Sequence, residues 1–119
     1  MGTITIILAS LVSLEHVYIM YLETVATTSG HTAKTFGLQP GILQAKEARA
    51  LLKNQGIYNL LLAVLLAIAV VLGDTLWLRL LLGYVILVAA YGSLTSNKMI
   101  IMKQGGPATL ALICSFLGI

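Results

Sequence analysis

Charge and cysteine are what this chain has least of. Only 9% of its 119 residues are Asp, Glu, Lys or Arg, against about a quarter in an ordinary soluble domain. So few charges cannot clothe a water-facing globule of this size, which excludes a soluble domain. Cys114 is the only cysteine, which excludes an intramolecular disulfide and any multi-cysteine metal site. It reads as a small apolar residue in a membrane helix. No basic residue precedes the first apolar run, and no small-x-small site follows it. A cleaved signal peptide is therefore not expected, and the first segment reads as a retained helix. The net charge is +3, and its few basic residues are scattered beside apolar runs. That is a topology signal, and nucleic acid is not expected as a partner.

What the chain does have is apolar residues, 59% of the total. They gather in four runs, at about 3–24, 55–72, 76–96 and 104–119. A bilayer core takes about 20 helical residues. The expectation is an all-α fold: a single domain over 1–119 built as a four-helix transmembrane bundle. The fourth run is the shortest, roughly 24 Å if helical from Gln104. Between the first two runs lies a long connection. Its later part mixes Lys46, Glu47, Arg49 and Lys53 with Ile42, Leu43, Leu51 and Leu52 behind Pro40. That pattern suits a short amphipathic helix lying on the membrane surface. Gly73, Asp74 and Thr75 read as a tight turn, and 97–103 as a short basic connection.

Lys34, Lys46, Arg49, Lys53, Lys98 and Lys103 all fall in the first and third connections. The other side has only Arg79, with Asp74 near it. Basic residues stay with the cytoplasm, so both connections face inward and both termini outward. Asn54-Gln55-Gly56 and Lys103-Gln104-Gly105 repeat a Gln-Gly step, readable as a duplicated hairpin or as ordinary helix-start chemistry.

Polar residues inside a bilayer are costly, so their positions carry the functional information. The first run holds Glu15, His16, Tyr18, Tyr21 and Glu23. His16 and Glu23, seven apart, project on nearly one face, while Tyr18 points almost opposite. Gln55 and Asn59 share a face beside Tyr58. Tyr84, Tyr91 and Thr95 share another, extended by Lys98, and Gln104 opens the last run. With the orientation above, nearly all of these lie in the cytoplasmic half. The expected ligand-binding residues are Glu15, His16, Tyr18, Glu23, Gln55, Tyr58, Asn59, Tyr91 and Gln104, in a polar pocket that opens inward. Each also has a plainer role: His16 as packing glue, the tyrosines as interface anchors, Gln55 and Asn59 as helix-start partners. A metal is not expected. His16 and Glu23 stand about 10 Å apart along the helix axis, and no second histidine joins them in a helix. No cofactor is indicated by any motif.

The segment Leu14-Glu15-His16-Val17-Tyr18-Ile19-Met20-Tyr21-Leu22-Glu23 resembles the opening signature of a family of small bacterial membrane proteins catalogued as domain of unknown function 1304. Asn54 to Asn59, Ala90 to Thr95, and Gln104 to Ala108 resemble its later blocks, in the same order. Residues 24–29 lack the aromatic-rich stretch common in that family. The resemblance implies a four-helix protein of the bacterial cytoplasmic membrane and implies no activity. Its signature residues are the polar positions singled out above.

Four functions compete. The first is a binding pocket for a small molecule or lipid-like ligand, in which Glu15 or Glu23 supplies charge and His16 a proton near neutral pH. The second is a proton-coupled transporter acting as a homo-oligomer, with Glu15 as coupling carboxylate. Its placement resembles that of the glutamate in small multidrug exporters. The strong charge bias argues against an antiparallel pair and leaves a parallel one open. The third is a membrane enzyme using His16 with a carboxylate, for which no nucleophile motif is present. The fourth is an assembly partner, for which small-residue pairs such as Ala63/Ala67 and Ala89/Ser93 allow close helix contact. In every case membrane lipid is a partner.

Overall fold

A computed structural model describes residues 1–96, 99 and 101–119. They are all-helical, with no strand among the described residues. Helix α1 spans Thr3–Met20 and runs on into a wider π-helical turn, Tyr21–Val25. A short helix α2, Gly30–Thr35, follows, capped by Ser29, whose hydroxyl accepts from the His31 N–H. A 3-10 turn, Pro40–Gln44, leads to α3, Lys46–Leu72. Helix α4 is Thr75–Thr95. A second π turn, Ile101–Gly105, opens α5, Gly106–Leu117.

Three stretches, Thr3–Val25, Lys46–Leu72 and Thr75–Thr95, are long and apolar enough to cross a membrane. The fourth run forms a helix of 12 residues, about 18 Å long. The separate surface helix expected between Pro40 and Lys53 does not form. Pro40–Gln44 turns once, and Lys46 to Lys53 are the first two turns of α3 itself. The residues from Lys46 to Lys53 are good helix formers with no breaker among them. Arg49 Nη1 donates to the carbonyls of Leu43 and Gln44, at 3.1 and 2.6 Å, and so ties the turn to the helix. Part of the basic third connection, Asn97, Lys98 and Ile100, lies outside the described residues.

The α3–α4 turn follows its local chemistry. Gly73 takes the left-handed conformation, φ 65°, that ends α3. Asp74 then caps α4, its Oδ1 accepting from Trp77 N–H at 3.1 Å.

Packing starts from small residues. Helix α1 buries Thr5, Ala9, Val12, Ser13 and His16, and α3 buries Gly56, Asn59, Ala63, Leu66 and Ala69. Both series recur every three or four residues, one helix face each. The backbones come close enough for Ser13 Oγ to donate to the Ala63 carbonyl at 2.8 Å. Helix α1 also packs on α5, and α5 on α4. The shared core joins Val12, Leu66, Leu78, Leu82, Val85 and Ala108. The side between α3 and α4 is less filled and carries grooves open to the surroundings.

The bundle has two unlike ends. Ile4 N–H donates to the Ile119 carbonyl at 2.9 Å, so the start of α1 and the end of α5 lie together. The α3–α4 turn is at that end too, since Arg79 reaches Ser115 from one turn into α4. The opposite end carries α2, the 3-10 turn and the second π turn. Helix α5 climbs only to the level of His16, where Gln104 meets that side chain. Above it, the loop-end half of the bundle has three long helices, with α2 and the second π turn beside them.

Candidate functional site

The polar residues of the loop-end half fall into two buried pairs and two grooves. His16 is wholly buried on α1. Its Nδ1 lies 2.8 Å from the Val12 carbonyl, which can only accept, so Nδ1 carries a proton. Its Nε2 lies 3.0 Å from Gln104 Nε2. With a proton on Nδ1 and an amide N–H pointing at Nε2, the ring is the neutral tautomer accepting from Gln104. Both ring nitrogens are thus spent on protein partners, and none is left for a metal.

Glu23 is 4% exposed and sits in the first π turn. Its Oε1 accepts from Asn59 Nδ2 at 2.6 Å, and the same amide nitrogen lies 3.2 Å from the Gln55 carbonyl. The contact depends on Gly56. A Cβ there would strike Thr24 Oγ1 and come within 3.2 Å of Glu23 Cβ. The π turn also explains why His16 and Glu23 do not share a face. Its i to i+5 bonding, seen in Ala26 N–H to the Tyr21 carbonyl at 2.9 Å, turns the chain less per residue than an α-helix. His16 therefore faces α5, and Glu23 faces α3.

Glu15 behaves differently. Its Oε1 is sealed from the surroundings and has no hydrogen-bond partner among the described residues. It lines a groove of about 140 Å³ between α1, α2 and the α4–α5 connection, with Tyr18, Leu22, Phe36, Lys103 and Gln104 among the walls. Helix α2 is held over this groove. Tyr18 Oη lies 3.0 Å from His31 Nε2, the Thr32 hydroxyl donates to the Ala26 carbonyl at 2.7 Å, and the Ser96 hydroxyl donates to the Phe36 carbonyl at 3.4 Å.

The second groove, about 240 Å³, opens between α3 and α4 on the far side of Gln104. Gln55, Tyr58, Asn59, Tyr84 and Gln104 line it, with leucines and valines for the rest. The sequence places nine residues in one pocket. Here Glu15 and Tyr18 line one groove, Gln55, Tyr58 and Asn59 the other, and Gln104 borders both. His16 and Glu23 lie buried between, and Tyr91, 69% exposed, borders neither. Lys103, Phe36 and Thr32 were not foreseen. Lys103 was legible as a charge beside Gln104. Nothing in the sequence marked Phe36 or Thr32 as parts of a cover.

The model of the family described as protein of unknown function (DUF1304) matches residues 10–116. The chain is 52% identical over 118 residues to the uncharacterized protein YpaA of Lactococcus lactis subsp. lactis (strain IL1403), covering 98% of this chain and 99% of that protein. No solved structure matches. The chain belongs to the DUF1304 family.

Proposed function

We propose that this protein is a membrane-embedded binding protein for a small amphiphile. In this reading it is a four-helix bundle of the bacterial cytoplasmic membrane with both termini outside. Its loop-end half faces the cytoplasm and takes a ligand with a hydrogen-bond-donating head and an apolar body. The supporting observation is the Glu15 carboxylate. A buried acceptor without a donor costs about 1–3 kcal/mol, more when charged. Such a group is rare unless something outside the fold satisfies it. Glu15 lines a groove walled also by Tyr18, Leu22 and Phe36, and its Oε1 is buried without a partner among the described residues, which suits an apolar body whose head reaches the carboxylate.

Thermal unfolding of the purified protein in detergent tests this with three ligands of equal tail length: dodecylamine, dodecanol and dodecyl methyl ether. The amine and the alcohol stabilise the wild type, and the ether, which has no donor, does not. Glu15→Leu removes the difference, and His16→Ala, which alters the wall at Gln104, weakens it. If none of the three shifts the wild type, the binding reading fails. The competing reading, a proton-coupled transporter, uses the same carboxylate. Uptake of dodecylamine into proteoliposomes that depends on both a pH gradient and Glu15 would replace binding with transport.

A further inference from the structure

The grooves between α3 and α4 form a continuous track. The one at the loop end and one at the turn end, about 260 Å³ and bounded by Asp74 and Trp77, share Leu65 and Leu81. From Gln55 to Leu72 along α3 the track runs about 26 Å at 1.5 Å per residue. That is close to the full hydrocarbon thickness, about 30 Å. A phospholipid tail occupies one leaflet, whereas a transmembrane helix occupies this whole length.

The track is not uniformly apolar. Tyr84 is 56% exposed and Tyr58 70% exposed, and neither hydroxyl has a hydrogen-bond partner among the described residues. Tyr84 sits nine residues into α4, about 13 Å from its start. That is near the middle of the span, too deep for an interface anchor. Lipid tails offer such a phenol nothing, and polar side chains at this depth turn toward protein.

We propose that the α3–α4 face is where a second copy of this chain docks, forming a parallel dimer. The charge asymmetry inserts every copy the same way round. Two copies then relate by a two-fold axis along the membrane normal, which sets each residue opposite its own kind at the same depth. The exposed polar groups of the track suit that arrangement. A phenol hydroxyl and a carboxamide each both donate and accept, so Tyr84 can bond Tyr84 of the second copy, and Gln55 and Tyr58 can bond across in the same way. A chain of carboxylates or lysines in these places would repel its own copy. Among the described residues, the only titratable side chain on the track besides the phenols is Asp74, which is committed to the α4 cap.

The test uses the full chain with Cys114→Ser, which frees the background of thiols. Single cysteines are placed at Leu61 and Leu65, in the track, and at Leu11, exposed on α1. Oxidation in native membranes joins chains through positions 61 and 65 and leaves position 11 monomeric. Native mass spectrometry of the unmodified wild type in lipid nanodiscs shows a dimer. Tyr84→Phe raises its dissociation constant by roughly threefold, as expected for the loss of the one hydrogen bond between the two phenols, without lowering the unfolding temperature of the monomer. A wild type that stays monomeric, whether bare or carrying lipid, overturns the proposal. So does equal crosslinking at position 11, or a dimer indifferent to Tyr84→Phe.

Discussion

Enlarging Gly56 by one methyl group tests the α1–α3 contact and the candidate site at once. A Cβ at this position overlaps Thr24 Oγ1 and lies 3.2 Å from both Glu23 Cβ and Thr24 Cβ. Thr24 can rotate its hydroxyl away, losing only a long 3.4 Å bond to the Lys53 carbonyl. The two carbon contacts are relieved only if α1 and α3 separate by a few tenths of an ångström. Overpacking of this kind costs about 1–3 kcal/mol. Separation also stretches the 2.6 Å Glu23–Asn59 bond. Against this, alanine is favoured over glycine inside a helix by about 1 kcal/mol. The net expectation for Gly56→Ala is a loss of up to about 2 kcal/mol. Thr24→Ala in the same chain recovers about half of the packing cost, because it removes Oγ1 and leaves the Glu23 contact. Reversible unfolding in mixed micelles, run on the wild type, both single variants and the double, measures the coupling. A Gly56→Ala protein more stable than the wild type, or strict additivity with Thr24→Ala, would refute the close approach of the two helices.

Three further outcomes are expected. Asn59→Leu strips the donor from Glu23 and costs about 1–3 kcal/mol in the same unfolding assay, while adding Glu23→Leu recovers most of that loss. Asp74→Ala removes the α4 cap and lowers stability by about 1 kcal/mol, whereas Asp74→Asn, which can still accept from Trp77 N–H, leaves it nearly unchanged. In a Cys114→Ser background, a cysteine at Lys46 reacts with an impermeant maleimide only from the cytoplasmic face, and one at Asp74 only from outside. The reverse labelling pattern would invert the proposed topology.

The long helices were legible because their signal is composition, which tertiary contacts do not alter. The bounds of α4 differ from the expected run by one residue at each end, and the Gly73–Asp74 turn follows from two residues with known end-of-helix chemistry. The start of α3 was misjudged for the opposite reason. Lys46 to Lys53 change in polarity without any change in helix propensity, so a boundary was drawn where only the surroundings change. In the site, the residue types were legible and their grouping was not. Ideal helical geometry sets His16 and Glu23 on one face, and a π turn, which has no sequence signature here, sends them to different helices. Nothing local could have paired Asn59 with Glu23, or Gln104 with His16, since those bonds join residues 36 and 88 positions apart.

The two buried pairs follow one rule, and Glu15 breaks it. Glu23 and His16 each reach a groove wall through a neutral carboxamide, Asn59 in one case and Gln104 in the other. An amide satisfies a buried ionisable group without adding a second charge to a medium where charge is expensive. Asn59 commits both of its N–H groups inward, to Glu23 Oε1 and the Gln55 carbonyl, and leaves its oxygen as an acceptor. Glu15 has no such intermediary. It lies on the same helix, one residue before His16, and lines a groove that Gln104 also borders, yet Oε1 is left bare. Had the sole role of these polar residues been to hold helices together, a partner for Glu15 would be expected from the nearby chain, as it is supplied for Glu23. At Glu15, therefore, one buried acceptor is in surplus. That imbalance, more than the presence of any one charged residue, is why the proposed ligand is one that donates.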